Sequence, residues 1–299
     1  MRLYDVPAPA KLNLFLHVVG RRDDGYHLLQ TAFRFIDLND TLDFERRDDG
    51  RLLRDGEALA GLAEQDDLVL RAARSLQQAT GSRYGASIRY IKRIPVGGGL
   101  GGGSSDAATT LIALNRLWDT GLGRADLMRL AVGLGADVPV FVFGQSAFAE
   151  GVGEILAPLD LPERAYLLVQ PPQHVSTADI FAAPDLTRNT PSVKISVFAD
   201  WQLAQQGLFG RNDLASVVYR RYPGILRAAH TLHDLGLEVR LTGSGSCLFS
   251  EFSDLSVARV HQQKIISKIS CCDSGGADIQ AAWACAGLVE HPLRHWIDR

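Results

Sequence analysis

The stretch from residue 97 to residue 103 combines residue types that suit phosphate binding. Six of its seven positions are glycine, Leu100 being the exception, and it runs directly into Ser104, Ser105 and Asp106. Glycine lets the backbone fold closely around a ligand and adopt positive φ angles. Backbone N–H groups at a helix start, together with the helix dipole, favour an anion such as a phosphate. The serine hydroxyls can cap the helix, bond phosphate oxygens or meet a magnesium ion. The pattern therefore predicts a phosphate-binding loop.

Other interpretations of these glycines fit less well. Gly97, Gly99 and Gly102 have the spacing of the dinucleotide fingerprint, but the preceding strand alternates polar and apolar residues. The acidic residue at a suitable distance, Asp119, follows a helix rather than a second strand. No Gly-Lys-Ser or Gly-Lys-Thr follows, as a Walker loop would require. A flexible hinge would not sit flush between a strand and a helix. A nucleoside triphosphate bound in another way remains.

The flanking elements must position this loop. Alternation over residues 11–18 predicts a half-buried strand with Lys11 and Asn13 on the face away from the leucines. A strand over 86–94 leads into the loop, and a helix that includes residues 107–118 follows it. Further along the chain, the pattern predicts a strand over 28–44, a strand-rich stretch from Val140 and a strand–glycine–strand unit over 239–252. It predicts helices over 66–80, 125–134, 197–207 and 223–235, and a loop over 171–191. The first of these helices would have Asp66 or Asp67 as its N-cap and end at Gly81.

Composition excludes several classes of protein. The 299 residues are 46% hydrophobic and 22% charged, which predicts one large or two ordinary globular domains. The net charge of −3 gives no indication of nucleic acid or of an anionic membrane as a partner. No apolar run approaches the roughly 18 residues that span a bilayer, and the polar and proline residues near the N-terminus predict no export. The cysteines lack the spacing of a zinc site and are expected to be free thiols in a reducing cytoplasm; they are Cys247, Cys271, Cys272 and Cys285.

Several motifs together resemble a known kinase superfamily. Residues 95–108 are similar to the phosphate loop of the kinases grouped as galactokinase, homoserine kinase, mevalonate kinase and phosphomevalonate kinase, and residues 9–14 and 241–247 agree with it in order and position. Within that superfamily, further segments resemble the branch that phosphorylates 4-diphosphocytidyl-2-C-methylerythritol: Gly-Tyr-His at 25–27, Gly-Ala-Asp-Val-Pro at 135–139, Ala-Glu-Gly-Val-Gly-Glu at 149–154 and Arg-Asn-Asp-Leu at 211–214. The similarity extends from about residue 7 to about residue 249.

The resemblance implies an α+β, two-domain small-molecule kinase fold with the active site in the interdomain cleft. Residues 1–149 would form an ATP-binding domain and residues 150–299 a substrate-binding domain. The implied reaction is ATP-dependent phosphorylation of the 2-hydroxyl of the methylerythritol moiety, which gives the 2-phosphate and ADP on the non-mevalonate route to isoprenoid precursors. Asp137 would accept the hydroxyl proton, and Lys11 would hold that carboxylate and the transferring phosphoryl group. Such kinases act mainly by positioning and electrostatic stabilisation.

The resemblance also assigns binding residues. The ATP phosphates would lie on Gly97, Gly98, Gly99, Leu100, Gly101, Gly102, Gly103, Ser104 and Ser105, and the adenine against Asp67, Leu68, Lys92 and Pro95. Mg²⁺ would arrive with ATP, and Ser105 is the candidate protein ligand. A substrate with a cytidine diphosphate group would contact Asn13, Tyr26, His27, Val152, Thr177, Phe181 and Gly243. Among these, Tyr26 and Phe181 would stack on the base while His27 bonds its polar edge.

Two departures and two alternatives accompany the resemblance. The family pattern has asparagine where this chain has Asp67, which can accept from the adenine amino group but cannot donate. The segment 267–284 has no counterpart in the pattern. A sister kinase acting on mevalonate or homoserine is the first alternative, and the Gly-Tyr-His and Ala-Glu-Gly-Val-Gly-Glu segments argue against it. A non-catalytic nucleotide-binding protein is the second, and the presence of both Lys11 and Asp137 argues against that one.

Overall fold

The computed structural model describes residues 1–55, 63–204, 207–271 and 278–298. Its strands are β1 (Arg2–Arg21), β2 (His27–Arg47), β3 (Leu52–Arg54), β4 (Gly85–Ile91), β5 (Ala147–Glu150), β6 (Ile155–Pro158), β7 (Ala165–Gln170), β8 (Arg240–Leu241), β9 (Leu248–Phe252) and β10 (Ala281–Leu288). Its helices are α1 (Leu68–Thr80), α2 (Gly102–Leu117), α3 (Arg124–Val132), α4 (Val138–Phe143), α5 (Thr177–Phe181), α6 (Ile195–Leu203), α7 (Ala215–Arg221), α8 (Pro223–His233) and α9 (Leu255–Cys271), with a short 3₁₀ turn at Arg294–Ile297.

One mixed sheet connects the two halves of the chain. The path β3-β4-β2-β10-β7-β9-β8 gives its order, while β1 and β5 also pair with β2 and β6 pairs with β5. All these pairs are antiparallel except β3 with β4. The predicted α+β class is confirmed. The predicted boundary between residues 149 and 150 falls at the end of β5 and stays a prediction.

The long hairpin of β1 and β2 carries the candidate lysine. Lys11 lies opposite Phe35, and Asn13 lies opposite Phe33. The alternation of this segment predicted a half-buried strand, yet Leu12 and Asn13 are both buried. Leu12 and Leu14 pack in an apolar core, and Lys11 and Asn13 turn toward a cavity rather than toward open solvent. Over residues 11–14 the alternation therefore separates core from cavity, up to the register shift between Asn13 and Leu16.

Local signals explain the helices on either side of the glycine loop. The Asp67 side chain accepts a hydrogen bond from the Val69 N–H at 2.9 Å and caps α1, and Gly81 ends that helix in the left-handed conformation. The predicted helix is thus confirmed, and of the two candidate N-cap residues Asp67 is the one that caps it. Apolar residues of α1 and α2 share one core with the sheet, and this packing fixes the start of α2 beside the end of β4.

The prediction of a strand-rich stretch from Val140 is wrong at its start. Residues 138–143 form α4, with Pro139 in the first turn and Gly144 in the left-handed conformation at its end. A short apolar run fits a buried helix as well as a buried strand, so periodicity alone did not decide. α5 lies within the predicted loop 171–191, and α7 was not predicted. No helix in the described part of the chain is long and apolar enough to cross a membrane.

Candidate active site

A cavity of about 540 Å³ lies between the glycine loop, the β1–β2 hairpin and the start of α5. Most of the predicted site residues line it: Lys11, Asn13, Asp67, Leu68, Lys92, Pro95, Gly97, Gly98, Gly99, Leu100, Gly101, Gly102, Gly103, Ser104, Asp137, Val152, Thr177, Phe181 and Gly243. Ser105, Tyr26 and His27 are the predicted site residues that do not line it. The fold thus brings the predicted phosphate, acceptor and catalytic groups to one cavity.

The glycine loop is joined to the loop between β8 and β9. The backbone N–H groups of Ser246 and Cys247 donate to the carbonyl oxygens of Gly97 and Gly98, each at 3.2 Å. Gly99 has φ +75°, and a Cβ there would collide with the Thr242 carbonyl oxygen. The two glycine-rich loops therefore form one structural unit.

Lys11 projects from β1 into the cavity although it is only 2% exposed. Its Nζ lies 2.5 Å from Asn13 Oδ1 and 3.2 Å from Asp137 Oδ2. The Lys11 backbone N–H donates to the carbonyl of Leu100, which ties the strand to the glycine loop. An ammonium has three donors, so one N–H remains for a further acceptor in the cavity.

Asp137 is placed by the start of α4. It is the N-cap residue, yet its side chain makes no capping hydrogen bond. About a third of the side chain is exposed, and Asp137 lines the cavity. One carboxylate oxygen pairs with Lys11, and the carboxylate can accept a proton from a hydroxyl group bound beside it.

Lys92 sits between two buried carboxylates near the glycine loop. It contacts Asp40 Oδ2, and its Nζ lies 2.5 Å from Asp106 Oδ2. Burial works against the charge on Lys92, but the two carboxylates outweigh it and raise the pKa of that ammonium. Burial also raises the pKa of the Asp106 carboxyl to about 7, and Lys92 opposes that rise. Asp40 Oδ1 accepts the backbone N–H groups of Arg93 and Ile94, so this cluster holds the chain as it enters the loop.

The Asp67 carboxylate has hydrogen-bond donors on both oxygens. Oδ1 accepts the Val69 N–H. Oδ2 accepts from Arg54 Nη1 at 2.9 Å and from the Tyr90 hydroxyl at 3.0 Å. These bonds compensate the burial of a charge where the family pattern has asparagine. Asp67 lines the cavity with a side chain that is only 2% exposed.

Aromatic side chains lie at the cavity and beside it. Phe181 lines the cavity at the end of α5, and the His27 ring centroid lies 5.1 Å from the Phe181 ring. His27 therefore lies beside Phe181, and Tyr26 is 65% exposed on the adjoining turn. Thr177 Oγ1 is 2.6 Å from Ser244 Oγ, which joins α5 to the second glycine-rich loop.

Sequence reasoning missed several residues of this site. They are Thr31, Asp40, Arg54, Tyr90, Asp106 as a partner of Lys92, Arg188 and Thr242. Thr242 stood in the recognised segment 241–247, and Asp106 in the loop motif, so their places were visible without their partners. The other contacts join residues far apart in the chain, and no local pattern signals them.

The predicted metal ligand and the thiols have distinct environments. Ser105 Oγ is fully buried without a hydrogen-bond partner among the described residues. Cys247 and Cys285 are buried free cysteines, and burial raises the pKa of each thiol. Cys272 lies outside the described residues. In the part of the chain that the structure describes, no three histidine, cysteine or acidic residues are grouped to hold a metal ion.

Comparison with protein-family models identifies two matching regions. The GHMP kinases N terminal domain matches residues 67–145, and the GHMP kinases C terminal domain matches residues 195–268. The first match covers the glycine loop, Lys92 and Asp137, and the second covers the loop between β8 and β9. The two glycine-rich loops of the cavity therefore belong to recognised kinase regions.

Relatives extend the similarity over nearly the full chain. A 4-diphosphocytidyl-2-C-methyl-D-erythritol kinase of Bordetella parapertussis is 62% identical over 99% of this chain and 99% of its own. One of Thiobacillus denitrificans is 54% identical over 97% of this chain and 98% of its own.

Solved structures agree with these relatives. A crystal structure of 4-(cytidine 5'-diphospho)-2C-methyl-D-erythritol kinase matches with a TM-score of 0.78 and 33% identity, over 96% of this chain and 99% of that one. A homoserine kinase from Cytophaga hutchinsonii matches with a TM-score of 0.65 over 97% of this chain and 95% of that one, and its 16% identity bears on the fold alone.

Proposed function

We propose that this chain, which belongs to the 4-diphosphocytidyl-2-C-methyl-D-erythritol kinase family, transfers the γ-phosphoryl group of ATP to the 2-hydroxyl of 4-diphosphocytidyl-2-C-methyl-D-erythritol. The products are the 2-phosphate and ADP, and the reaction belongs to the non-mevalonate route to isoprenoid precursors. The observation that carries the proposal is the Lys11–Asp137 pair, 3.2 Å apart, in a cavity that the glycine loop also lines.

Asp137 and Lys11 divide the chemistry between them. The hydroxyl oxygen attacks the γ-phosphorus, and Asp137 takes the hydroxyl proton. The bond from the γ-phosphorus to the bridging oxygen breaks, and ADP leaves with the electron pair. The remaining N–H of Lys11 donates to the transferring group while Asn13 and Asp137 hold the ammonium in place. Charge at the γ-phosphate thus meets a fixed cation in a site that needs little reorganisation.

The glycine loop and α2 hold the phosphates of ATP. The loop backbone and Ser104 line the cavity at the N-terminus of α2, where the helix dipole favours an anion. Leu68 and Pro95 form apolar sides for the adenine, and Asp67 accepts from its amino group. Lys92 lines the same wall between its two carboxylates. Residues 1–149 therefore carry most of the ATP contacts, and residues 150–299 carry Val152, Thr177, Phe181 and Gly243 for the acceptor.

Mg²⁺ accompanies ATP in kinases. Asp106 Oδ1 and Ser105 Oγ are buried oxygens without hydrogen-bond partners among the described residues, and oxygen ligands with phosphate and water are what this ion prefers. Asp106 lines the cavity, fits the ion and would hold it, whereas Ser105, the predicted ligand, does not line the cavity. When bound, the ion neutralises charge on the phosphate oxygens.

The decisive assay measures ADP release with ATP and the cytidylyl substrate, beside mevalonate and homoserine as competing acceptors. Phosphorus NMR of the product locates the new phosphate. We expect turnover with the cytidylyl compound alone and a phosphate at its 2-position. Turnover only with mevalonate or homoserine, or a phosphate at another hydroxyl, would refute the proposal.

A further inference from the structure

Arg188, in the segment between α5 and α6, makes hydrogen bonds from all three of its guanidinium nitrogens. Nε donates to His27 Nε2 at 3.0 Å. The other two nitrogens donate to backbone carbonyls at the end of α5 and just beyond it: Phe181 (3.1 Å), Ala183 (2.6 Å), Pro184 (3.4 Å) and Leu186 (3.0 Å). The guanidinium is therefore fixed by the backbone, and its remaining donor points at one imidazole nitrogen.

This contact sets the proton position on His27. An arginine side chain keeps its protons in a protein and has no acceptor. The lone pair at the contact must then belong to His27 Nε2, so the neutral ring carries its proton on Nδ1. A proton on Nε2 would place two N–H groups against each other. Burial lowers the pKa of His27, and the nearby cations Arg188 and Arg21 lower it further.

The same arginine places His27 relative to Phe181. Arg188 Nη2 holds the Phe181 carbonyl, and the Phe181 side chain lines the cavity. The His27 and Phe181 rings lie 5.1 Å apart at an angle of 37°. His27 Nδ1 makes no hydrogen bond to any described residue and is not enclosed in the protein interior. It is the ring nitrogen that can still meet a ligand.

We propose that Arg188 is a positioning residue that holds His27 as the neutral Nδ1–H tautomer, so that the ring offers one fixed donor to a pyrimidine with an acceptor at N3. Cytosine has a lone pair at N3, whereas uracil carries a proton there. The fixed donor therefore favours cytosine and leaves an unmade contact with uracil. The inference rests on the proposed function for the identity of the base, but the tautomer itself does not.

Nitrogen NMR of the whole ¹⁵N-histidine-labelled protein tests the tautomer without substrate. His27→Gln identifies the His27 signals by their disappearance. We expect the Nδ1–H form at pH 7 and protonation of His27 only below the pH range of an ordinary histidine. An Nε2–H form or a charged ring at pH 7 would overturn the proposal.

Arg188→Met tests the role of the guanidinium, and Arg221→Met is its matched control. Arg221 Nη1 also donates to a carbonyl of α5, that of Asp179 at 3.0 Å, without touching His27. In Arg188→Met we expect His27 to exchange between tautomers and to titrate nearer pH 6.5. Arg221→Met should leave the spectrum of His27 unchanged. An unchanged tautomer in Arg188→Met would overturn the proposal.

Kinetics then connect the tautomer to the base. We expect Arg188→Met to raise KM for the cytidylyl substrate roughly tenfold, the effect of one hydrogen bond, with a much smaller change in KM for ATP. The preference for that substrate over its uridylyl analogue should fall by a similar factor. Loss of the tautomer with an unchanged base preference would refute base selection by His27. Failure of the wild-type protein to phosphorylate the cytidylyl compound would instead refute the proposed function, and the NMR result would still decide the tautomer.

Discussion

Asp137→Asn removes the proposed proton acceptor with little disturbance to the fold. Asparagine has almost the same shape, and the Asp137 side chain makes no capping hydrogen bond to α4 that would be lost. Lys11 also keeps its contact with Asn13 at 2.5 Å. We therefore expect the unfolding midpoint to change by no more than a few degrees.

Two losses contribute to the expected effect on turnover. An amide cannot accept the hydroxyl proton, and a positioned general base contributes typically 10²–10⁴-fold. The pair of charges 3.2 Å apart is also removed, which Coulomb's law sets at about 1 kcal/mol in water and about 5 kcal/mol at an effective dielectric constant of 20. This second loss leaves Lys11 more available to the phosphates of ATP, so it favours ATP binding. We expect kcat to fall at least about a hundredfold and ATP affinity to stay equal or increase.

Steady-state ADP release gives kcat, and calorimetry with a nonhydrolysable ATP analogue gives Kd. Asp48→Asn is the control, because Asp48 is exposed and its ion pair with Arg46, at 3.6 Å, does not involve the cavity. A kcat for Asp137→Asn within about tenfold of wild type would refute Asp137 as the base. A large loss of analogue affinity would show that the variant damages the ATP site instead.

Three further predictions concern the base, the loop and the effect of pH. Tyr26→Ala should weaken the cytidylyl substrate by roughly 1–3 kcal/mol, the value of one base stack, with a smaller effect on ATP; equal changes in the two KM values would refute stacking on the cytosine. Gly99→Ala should lower kcat/KM for ATP at least about tenfold, because the φ of Gly99 is +75° and a Cβ would strike Thr242. Gly103→Ala is the control and should stay near wild type, because a Cβ there meets Leu68 Cδ1 at an ordinary 3.5 Å. Similar losses in both variants would show that the loop does not impose this conformation. Burial, with Arg124, lowers the pKa of His291 to about 3 in the folded protein. Below about pH 6.5 the histidine of the unfolded chain binds a proton that the folded protein does not bind. The free energy of unfolding should therefore fall by about 1.4 kcal/mol per pH unit as the pH falls from 6.5 towards 3. Urea titrations should show His291→Asn losing about 2 kcal/mol less than wild type between pH 7 and pH 5, and equal losses would contradict the assignment.

Local signals allowed the elements around the loop to be predicted. The caps of α1 at Asp67 and Gly81 and the glycine loop before α2 depend on a few adjacent residues, so the sequence specifies them directly. The apolar run of α4 is short enough to fit either a buried strand or a buried helix. Its helical form follows from Pro139 in the first turn and Gly144 at the end, together with packing. Element type was therefore predictable where the capping chemistry is local.

Contacts between distant segments were not predictable from residue patterns. Lys11 and Asp137 meet only because β1 passes beside the start of α4, and the family motifs rather than any spacing brought them into one hypothesis. Arg188 gave no signal, because most of its acceptors are backbone carbonyls that any residue supplies. Asp40 likewise works through backbone N–H groups. Such residues become visible only when the chain is folded.

The joined glycine-rich loops constrain how the two substrates can meet. Gly243 carries φ +55°, and a Cβ there would come within 2.9 Å of the Gly99 carbonyl oxygen. The Asn13 backbone N–H donates to Thr242 Oγ1 at 3.0 Å, so β1 is tied to these two loops. Lys11 lies two residues earlier on the same strand, and its ammonium contacts the Asn13 side chain. The loop proposed to hold the phosphates, the loop proposed to close over the acceptor and the strand that carries the lysine are thus mutually fixed. Because phosphoryl transfer depends chiefly on positioning, rigidity among these three segments matters more to the proposed reaction than any single hydrogen bond within them.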